Sequence, residues 1–334
     1  MNYIVFGGTG FIGKNLVKEL LKEKGKITCF VRKSSDISEL EKLKVNLFYG
    51  NINDTNSIKK SLKNQDVVFY LIGAGSISAT SKKSYKVYYK TNVKGTKNFI
   101  EACKRVKSLK RIIYFGSISS MGVFKGKILD ENSECRPPAP YQKTKLIGEN
   151  LIREFGENSK IIVSVIRPSM VYGPGSIEGG NKDIFRIAKF ANKCFFPLFN
   201  NGKNYVPAIH VKDVVNATIL ASKKGKKGAI YLVNNEEKVT MKDLVKIVSS
   251  ELKKKVIFLR IPFVIVMIMA TFFELISKIF NFTIPLTRYR LRSMTTSRLF
   301  DISSTKKDLG FRQTIPLKTG IKETVRWYKE QGFL

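Results

Sequence analysis

Residues 1–25 read MNYIVFGGTGFIGKNLVKELLKEKG, and at their centre GGTGFIG sets Gly7, Gly10 and Gly13 three residues apart. The apolar run at 3–6 has strand length, while Phe11, Ile12, Leu16, Val17, Leu20 and Leu21 recur at the helical period. The stretch therefore reads as strand, glycine turn and helix. Glycines at that spacing let the turn close tightly, bring bare backbone up to a phosphate and aim a helix N-terminus at its charge. The setting predicts a dinucleotide site on Gly7, Gly10 and Gly13.

Outward from that unit, strand-like runs at 27–31, 45–49, 66–72, 111–115 and 161–166 alternate with helical patterns that begin after Asn53-Asp54 and cover 93–106 and 141–154. These strands are apolar throughout instead of alternating with polar residues, as in a sheet covered on both faces. The reading is an α/β, doubly wound parallel sheet over residues 1–170. After Arg167-Pro168 the texture changes: Gly173-Pro174-Gly175 and Gly179-Gly180 mark loops before a helix at 183–192. Residues 171–334 are expected to form a smaller C-terminal substrate-binding lobe, interleaved with strands near 209–211 and 229–233 that return to the first.

The chain has 334 residues, enough for one large α/β unit or two lobes, with 60 Lys plus Arg against 26 Asp plus Glu, a net charge of +34. Such a field concentrates anions. The basic runs at 223–227 and 253–255 lack interleaved aromatics, so nucleic acid is not the expected partner, and an anionic membrane surface fits better. Four scattered cysteines and a lone histidine, His210, predict no metal site and suit a reducing cytoplasm. The first residues enter a strand without a basic leader, so no export signal is expected. In the segment 256–284 the uncharged core, 261–273, is shorter than the roughly 20 apolar residues of a spanning helix and is bracketed by Arg260, Glu274 and Lys278. It reads as a buried helix of the second lobe, with a helix lying in a membrane interface as the alternative.

Two further stretches carry chemistry. The second strand runs into Arg32-Lys33, where an acidic residue would suit the ribose of NAD; cations suit a 2′-phosphate, so NADP is expected ahead of NAD. In PYQKTKLIGE, Tyr141 and Lys145 stand four apart, on one helix face. A phenol is a poor proton shuttle at neutral pH unless a nearby ammonium and a cationic nicotinamide favour its ionised form. FGSISSMG ends the strand at 111–115, and hydroxyls at the carboxyl end of a parallel sheet face the same crevice as the glycine turn. Ser117 is the candidate there to bond the reacting oxygen, with Ser119 and Ser120 as rivals.

Taken in order, GGTGFIG, GNIND, TNVKGTKNFIEAC, FGSISSMG, PYQKTKLIGE, RPSMVYGPG, AIHVKDVVNA and FDISSTKKDLGF resemble the extended short-chain dehydrogenase/reductase superfamily, and within it the NAD-dependent epimerase/dehydratase group. The resemblance covers nearly the whole chain. It implies a Rossmann-type fold, Ser117 orienting substrate, Tyr141 as acid/base, and Lys145 holding the nicotinamide ribose and lowering the Tyr pKa. It further implies cofactor contacts from Gly7, Gly10, Phe11, Ile12, Ile52, Leu71, Asn92 and Pro168, with Asn51 at a common Asp position against the adenine. Val206 lies where many nucleotide-sugar members carry an Arg for the substrate diphosphate. RYRLRSMTTSR offers substitutes, of which Arg292 is the choice.

The leading expectation is an NAD(P)-dependent nucleotide-sugar C4 epimerase or 4-keto reductase, homodimeric by resemblance. The alternative is a 3β-hydroxysteroid-dehydrogenase-like enzyme for a lipid or isoprenoid alcohol, at the membrane surface, which the missing Arg and the 261–273 apolar core suit. A non-catalytic dinucleotide sensor is a third reading, opposed by the intact Ser117, Tyr141 and Lys145.

Overall fold

The computed structural model describes residues 1–74, 82–177, 181–280 and 287–334. The expected Gly179-Gly180 loop lies outside them. Five strands, β1 (Asn2–Phe6), β2 (Lys26–Val31), β3 (Asn46–Tyr49), β4 (Val67–Tyr70) and β5 (Arg111–Phe115), join Ile162–Pro168 and Ile230–Val233 in a seven-stranded sheet. Its spatial order is Ile230–Val233, Ile162–Pro168, β5, β4, β1, β2, β3, and every pairing is parallel. This is the doubly wound arrangement the sequence predicts. The chain winds one way from β1 through β2 to β3 and then returns to β4 on the other side, so a crevice opens at the carboxyl ends of β1 and β4.

The strands are apolar because both faces are covered. Ile4, Val68, Ile112, Val163 and Leu232 are fully buried, and in adjacent register Phe6 stacks on Phe30 at 4.5 Å and on Tyr70 at 5.9 Å. Helix α1 (Phe11–Leu20) buries Gly13, Leu16, Val17 and Leu20 against the sheet. The expected helix at 93–106 instead starts earlier, as the α-helix Lys82–Tyr88, and passes through a π-helical turn, Tyr89–Lys94, into the α-helix Gly95–Cys103.

A second apolar cluster gathers Phe185, Phe196, Leu198, Val206, Ala208, Leu244, Ile321 and Tyr328 from the later half of the chain. Residues near 209–211 do not return to the main sheet: Ala208–His210 pairs with Met170–Tyr172 in a separate two-stranded sheet, whereas Ile230–Val233 does join the main one. The helix Phe263–Phe280 departs most from expectation. Only Val266 and Ala270 among its described side chains are buried, and seven apolar residues face outward. Burial inside the second lobe is therefore corrected to a helix half exposed along its length. Among the described residues no helix is long and apolar enough to cross a membrane.

Candidate active site

The glycine turn closes as its composition demands. Gly7 holds φ +91°, a region that a side chain strains, and its carbonyl accepts from Gly10 N at 3.1 Å. A Cβ on Gly13 would strike the Gly7 carbonyl and sit 2.8 Å from Gly8 Cα, so helix and turn touch backbone to backbone. Gly10 is the N-cap of α1 and offers no capping side chain, nor is there an acid in the first turn, which leaves the leading N–H groups for an external anion. Phe11 opens α1, and Gly175, in the loop beyond Met170–Tyr172, lies so that a Cβ there would be 3.9 Å from its ring.

The remaining expected cofactor residues ring the same end of the sheet. Arg32 is exposed one residue past β2. Asn51 turns its Oδ1 to Asn53 N at 2.9 Å, and Ile52 is buried with its carbonyl accepting from Asn98 at 3.1 Å. Leu71 follows β4 and donates its N–H to the Phe6 carbonyl at 2.8 Å. Pro168 ends the strand Ile162–Pro168. Asn92, 1 % exposed, accepts from Ala74 N at 2.9 Å and donates to Thr144 Oγ1 at 3.0 Å, tying the segment after β4 to the next helix.

That next helix, Pro140–Glu157, starts with proline in its first turn, where a missing N–H costs nothing. It buries Thr144, Lys145, Gly148, Glu149, Ile152 and Gly156 along one face. Gly148 is required by close approach, since a Cβ there would meet the Asn92 carbonyl and lie 2.6 Å from the Tyr114 hydroxyl. Tyr141 and Lys145 thus arrive on the sheet side as their spacing predicts. Tyr141 sets its ring edge-on to Tyr88 at 5.7 Å. Lys145 is 4 % exposed, donates from Nζ to the Phe115 carbonyl at 2.5 Å and lies over the Tyr114 ring at 5.2 Å.

Ser117 begins the 3₁₀ turn Ile118–Met121 that packs on this helix. Its Oγ is 2.8 Å from Ser119 Oγ and accepts from Ser119 N at 3.2 Å, so the two hydroxyls form one unit, while Ser120 is fully buried.

Burial shapes the protonation states. It pushes Tyr141 up to about 12, with Tyr88 adding to the effect. It pushes Lys145 down to about 8, opposed by Glu149. Desolvation is the dominant influence on Tyr141, and the Lys145 ammonium bonds a backbone carbonyl. Burial thus favours the neutral form of the Tyr141 phenol.

Arg292, chosen from sequence as the substrate cation, is exposed on the short helix Arg288–Thr295. Arg298 is the inward one. Its backbone N–H donates to the Tyr205 carbonyl at 3.2 Å, and its Nε is buried with no hydrogen-bond partner among the described residues. Burial lowers its pKa, and the neighbouring Tyr289, which also feels Gln142 beside Tyr141, acts the other way. Sequence reading also passed over Thr144, Tyr88 and the Phe115 carbonyl. No local signal marks them, because each matters only through a partner distant in the chain. His210 is a 1 % exposed strand end whose Nδ1 accepts from Lys212 N at 3.3 Å to cap a helix; burial pushes its pKa down to about 4. Among the described residues no cluster of His, Cys, Asp and Glu could hold a metal ion.

A glycine cradle at the switch point of a parallel sheet, beside a Ser, Tyr and Lys set on its carboxyl edge, fits a nicotinamide dinucleotide and defines a dinucleotide-dependent enzyme. The chain belongs to the NAD dependent epimerase/dehydratase family, whose model matches residues 3–233. It is 27 % identical to the 3beta-hydroxysteroid-dehydrogenase/decarboxylase isoform 2 of Arabidopsis thaliana over 96 % of this chain, and spans 61 % of that relative's length. It is 25 % identical to the sterol demethylase protein B of Methylococcus capsulatus over the whole of both chains. The UDP-glucose 4-epimerase of Thermus thermophilus, solved in complex with NAD, superposes with a TM-score of 0.78 at 19 % identity, covering 98 % of this chain and 99 % of that one. The protein is an NAD-dependent oxidoreductase or isomerase of this family.

Proposed function

We propose that the protein exchanges hydride between a nicotinamide dinucleotide and the carbinol carbon of a hydrophobic secondary alcohol, of sterol or isoprenoid class, and the matching ketone. The glycine turn and α1 would hold the diphosphate, Asn92 and Lys145 the ribose side, and the bound nicotinamide supplies or accepts the hydride. In reduction, Tyr141 Oη gives its proton to the carbonyl oxygen while Ser117 Oγ orients that oxygen. Oxidation reverses both transfers, the hydroxyl proton passing to the tyrosine. Arg32, exposed just past β2, supports NADP as the preferred carrier.

The observation that carries the lipid reading is Val206. At the position where a nucleotide-sugar enzyme of this family often grips diphosphate with Arg, Val206 is 9 % exposed and packs in an apolar cluster with Phe196, Leu198 and Ala208. The full-length likeness to the sterol demethylase protein B points the same way. A nucleotide-sugar substrate, for an epimerase or 4-keto reductase, is the second reading, favoured by the inward guanidinium of Arg298. Purified protein incubated with NADPH or NADH and a panel of sterol and isoprenoid ketones should consume reduced nicotinamide, followed by its absorbance. Interconversion of UDP-sugars without net absorbance change, and none with apolar ketones, would replace the first reading with the second.

A further inference from the structure

The helix Phe263–Phe280 places Val264, Ile265, Ile268, Met269, Phe272, Phe273 and Leu275 at the surface, with exposures from 43 % to 66 %. At about 100° per residue these seven fall within one half of the helix circumference, and the buried Val266 and Ala270 lie in the other half. No charge interrupts the exposed half. The one acid in the described part, Glu274, turns away and receives Arg288 N and Nε, each at 2.7 Å. Thr271 spends its hydroxyl inside the helix, on the Met267 carbonyl at 2.8 Å. The strand Ile257–Ile261, one residue before the helix, adds exposed Ile257 and Leu259. An apolar helix face exposed in this way is uncommon on a soluble monomer and marks an interaction site.

The chemistry around the patch selects what covers it. A protein partner brings about one hydrogen bond per 100–200 Å² of interface, and this half-cylinder offers no side-chain donor or acceptor. A second copy would bring +34 against +34. In the chain just before the helix, Lys253, Lys254, Lys255 and Arg260 are all exposed. An apolar helix face flanked by cations is matched by acyl chains beneath anionic headgroups.

We propose that the helix Phe263–Phe280 lies in the plane of an anionic bilayer surface, with the arc from Val264 to Leu275 sunk among the acyl chains. This surface is a separate property from the substrate reading: it concerns where the protein sits, and its test involves no turnover. The full chain is sedimented with vesicles of phosphatidylcholine containing about 30 % phosphatidylserine, a charge density at which juxtamembrane cations contribute. Binding is expected at low salt, reduced but not abolished at high salt, and weaker on phosphatidylcholine alone. Ile268→Glu with Phe272→Glu, both at exposed positions, should lower vesicle affinity at least about tenfold while NADP(H) binding and the melting temperature are kept. The proposal is overturned by an absence of binding at low salt, by binding that salt abolishes and the double variant does not change, or by a dimer that the double variant converts to monomer without vesicle binding in the wild type.

Discussion

Lys145 Nζ bonds the carbonyl oxygen of Phe115 at 2.5 Å, pinning the helix that carries Tyr141 to the end of β5, two residues before Ser117. One buried ammonium thereby holds the three proposed reacting groups in register. Because burial sets Lys145 near 8 and Tyr141 near 12, the lysine loses its charge while the phenol remains protonated. Ketone reduction should be flat below about pH 8 and fall by up to about tenfold per unit above it, read as kcat/KM between about pH 6 and 10. Lys145→Arg should remove that limb from the range. The same depression means that the unfolded chain binds more protons than the folded one between about 8 and the ordinary lysine value of 10.5, so this group's contribution to stability rises with pH across that window.

Tyr141→Phe removes the proposed proton donor and keeps the ring that packs on Tyr88. The expected loss is about 10²–10⁴-fold in kcat. Dinucleotide affinity, measured by calorimetry on the same variant, should stay near the wild-type value; retained turnover would show that another group moves the proton.

Gly13→Ala tests the phosphate cradle. Its methyl would strike the Gly7 carbonyl, so the turn must open. A stability loss of about 1–3 kcal/mol is expected from overpacking, together with a drop in dinucleotide affinity larger than that of an exposed-site control such as Lys18→Ala.

Glu149 and Arg167 form a fully buried pair, with Arg167 Nε 3.0 and 3.1 Å from the two carboxylate oxygens. Glu149→Gln leaves the guanidinium buried without its counter-charge and should cost about 3–5 kcal/mol in urea unfolding. Replacing both partners with apolar residues of similar volume should recover most of that loss.

Arg32→Asp should reverse any preference for NADPH over NADH, by about tenfold or more in the ratio of kcat/KM, because it trades a cation for an acid at the end of β2. An unchanged ratio would show that Arg32 does not meet the carrier.

Much of this site is readable along the chain because its parts are local. GGTGFIG must be a tight turn whatever surrounds it, and the apolar run Ile112–Phe115 lies wholly within the strand Arg111–Phe115. The four-residue step from Tyr141 to Lys145 puts both on one face of any helix. Asp54 caps its helix through Asn56 N, again a local bond. The π-helical turn at Tyr89–Lys94 is different: it lies inside a pattern with ordinary helical periodicity, and its extra residue aims Asn92 at Ala74 and Thr144, partners 18 and 52 positions away.

By itself, then, the order of residues determined the alternation of strands and helices, the bare backbone at the first turn and the phenol and amine on a shared face, since each depends on neighbours within a few positions. Tertiary structure decided the rest: that Lys145 is dehydrated and bonded to Phe115, that Arg298 and not Arg292 turns inward, and that an apolar helix near residue 268 stays uncovered. Burial is a property of what packs alongside, and no periodicity in a single segment can state whether its partner is protein, water or lipid.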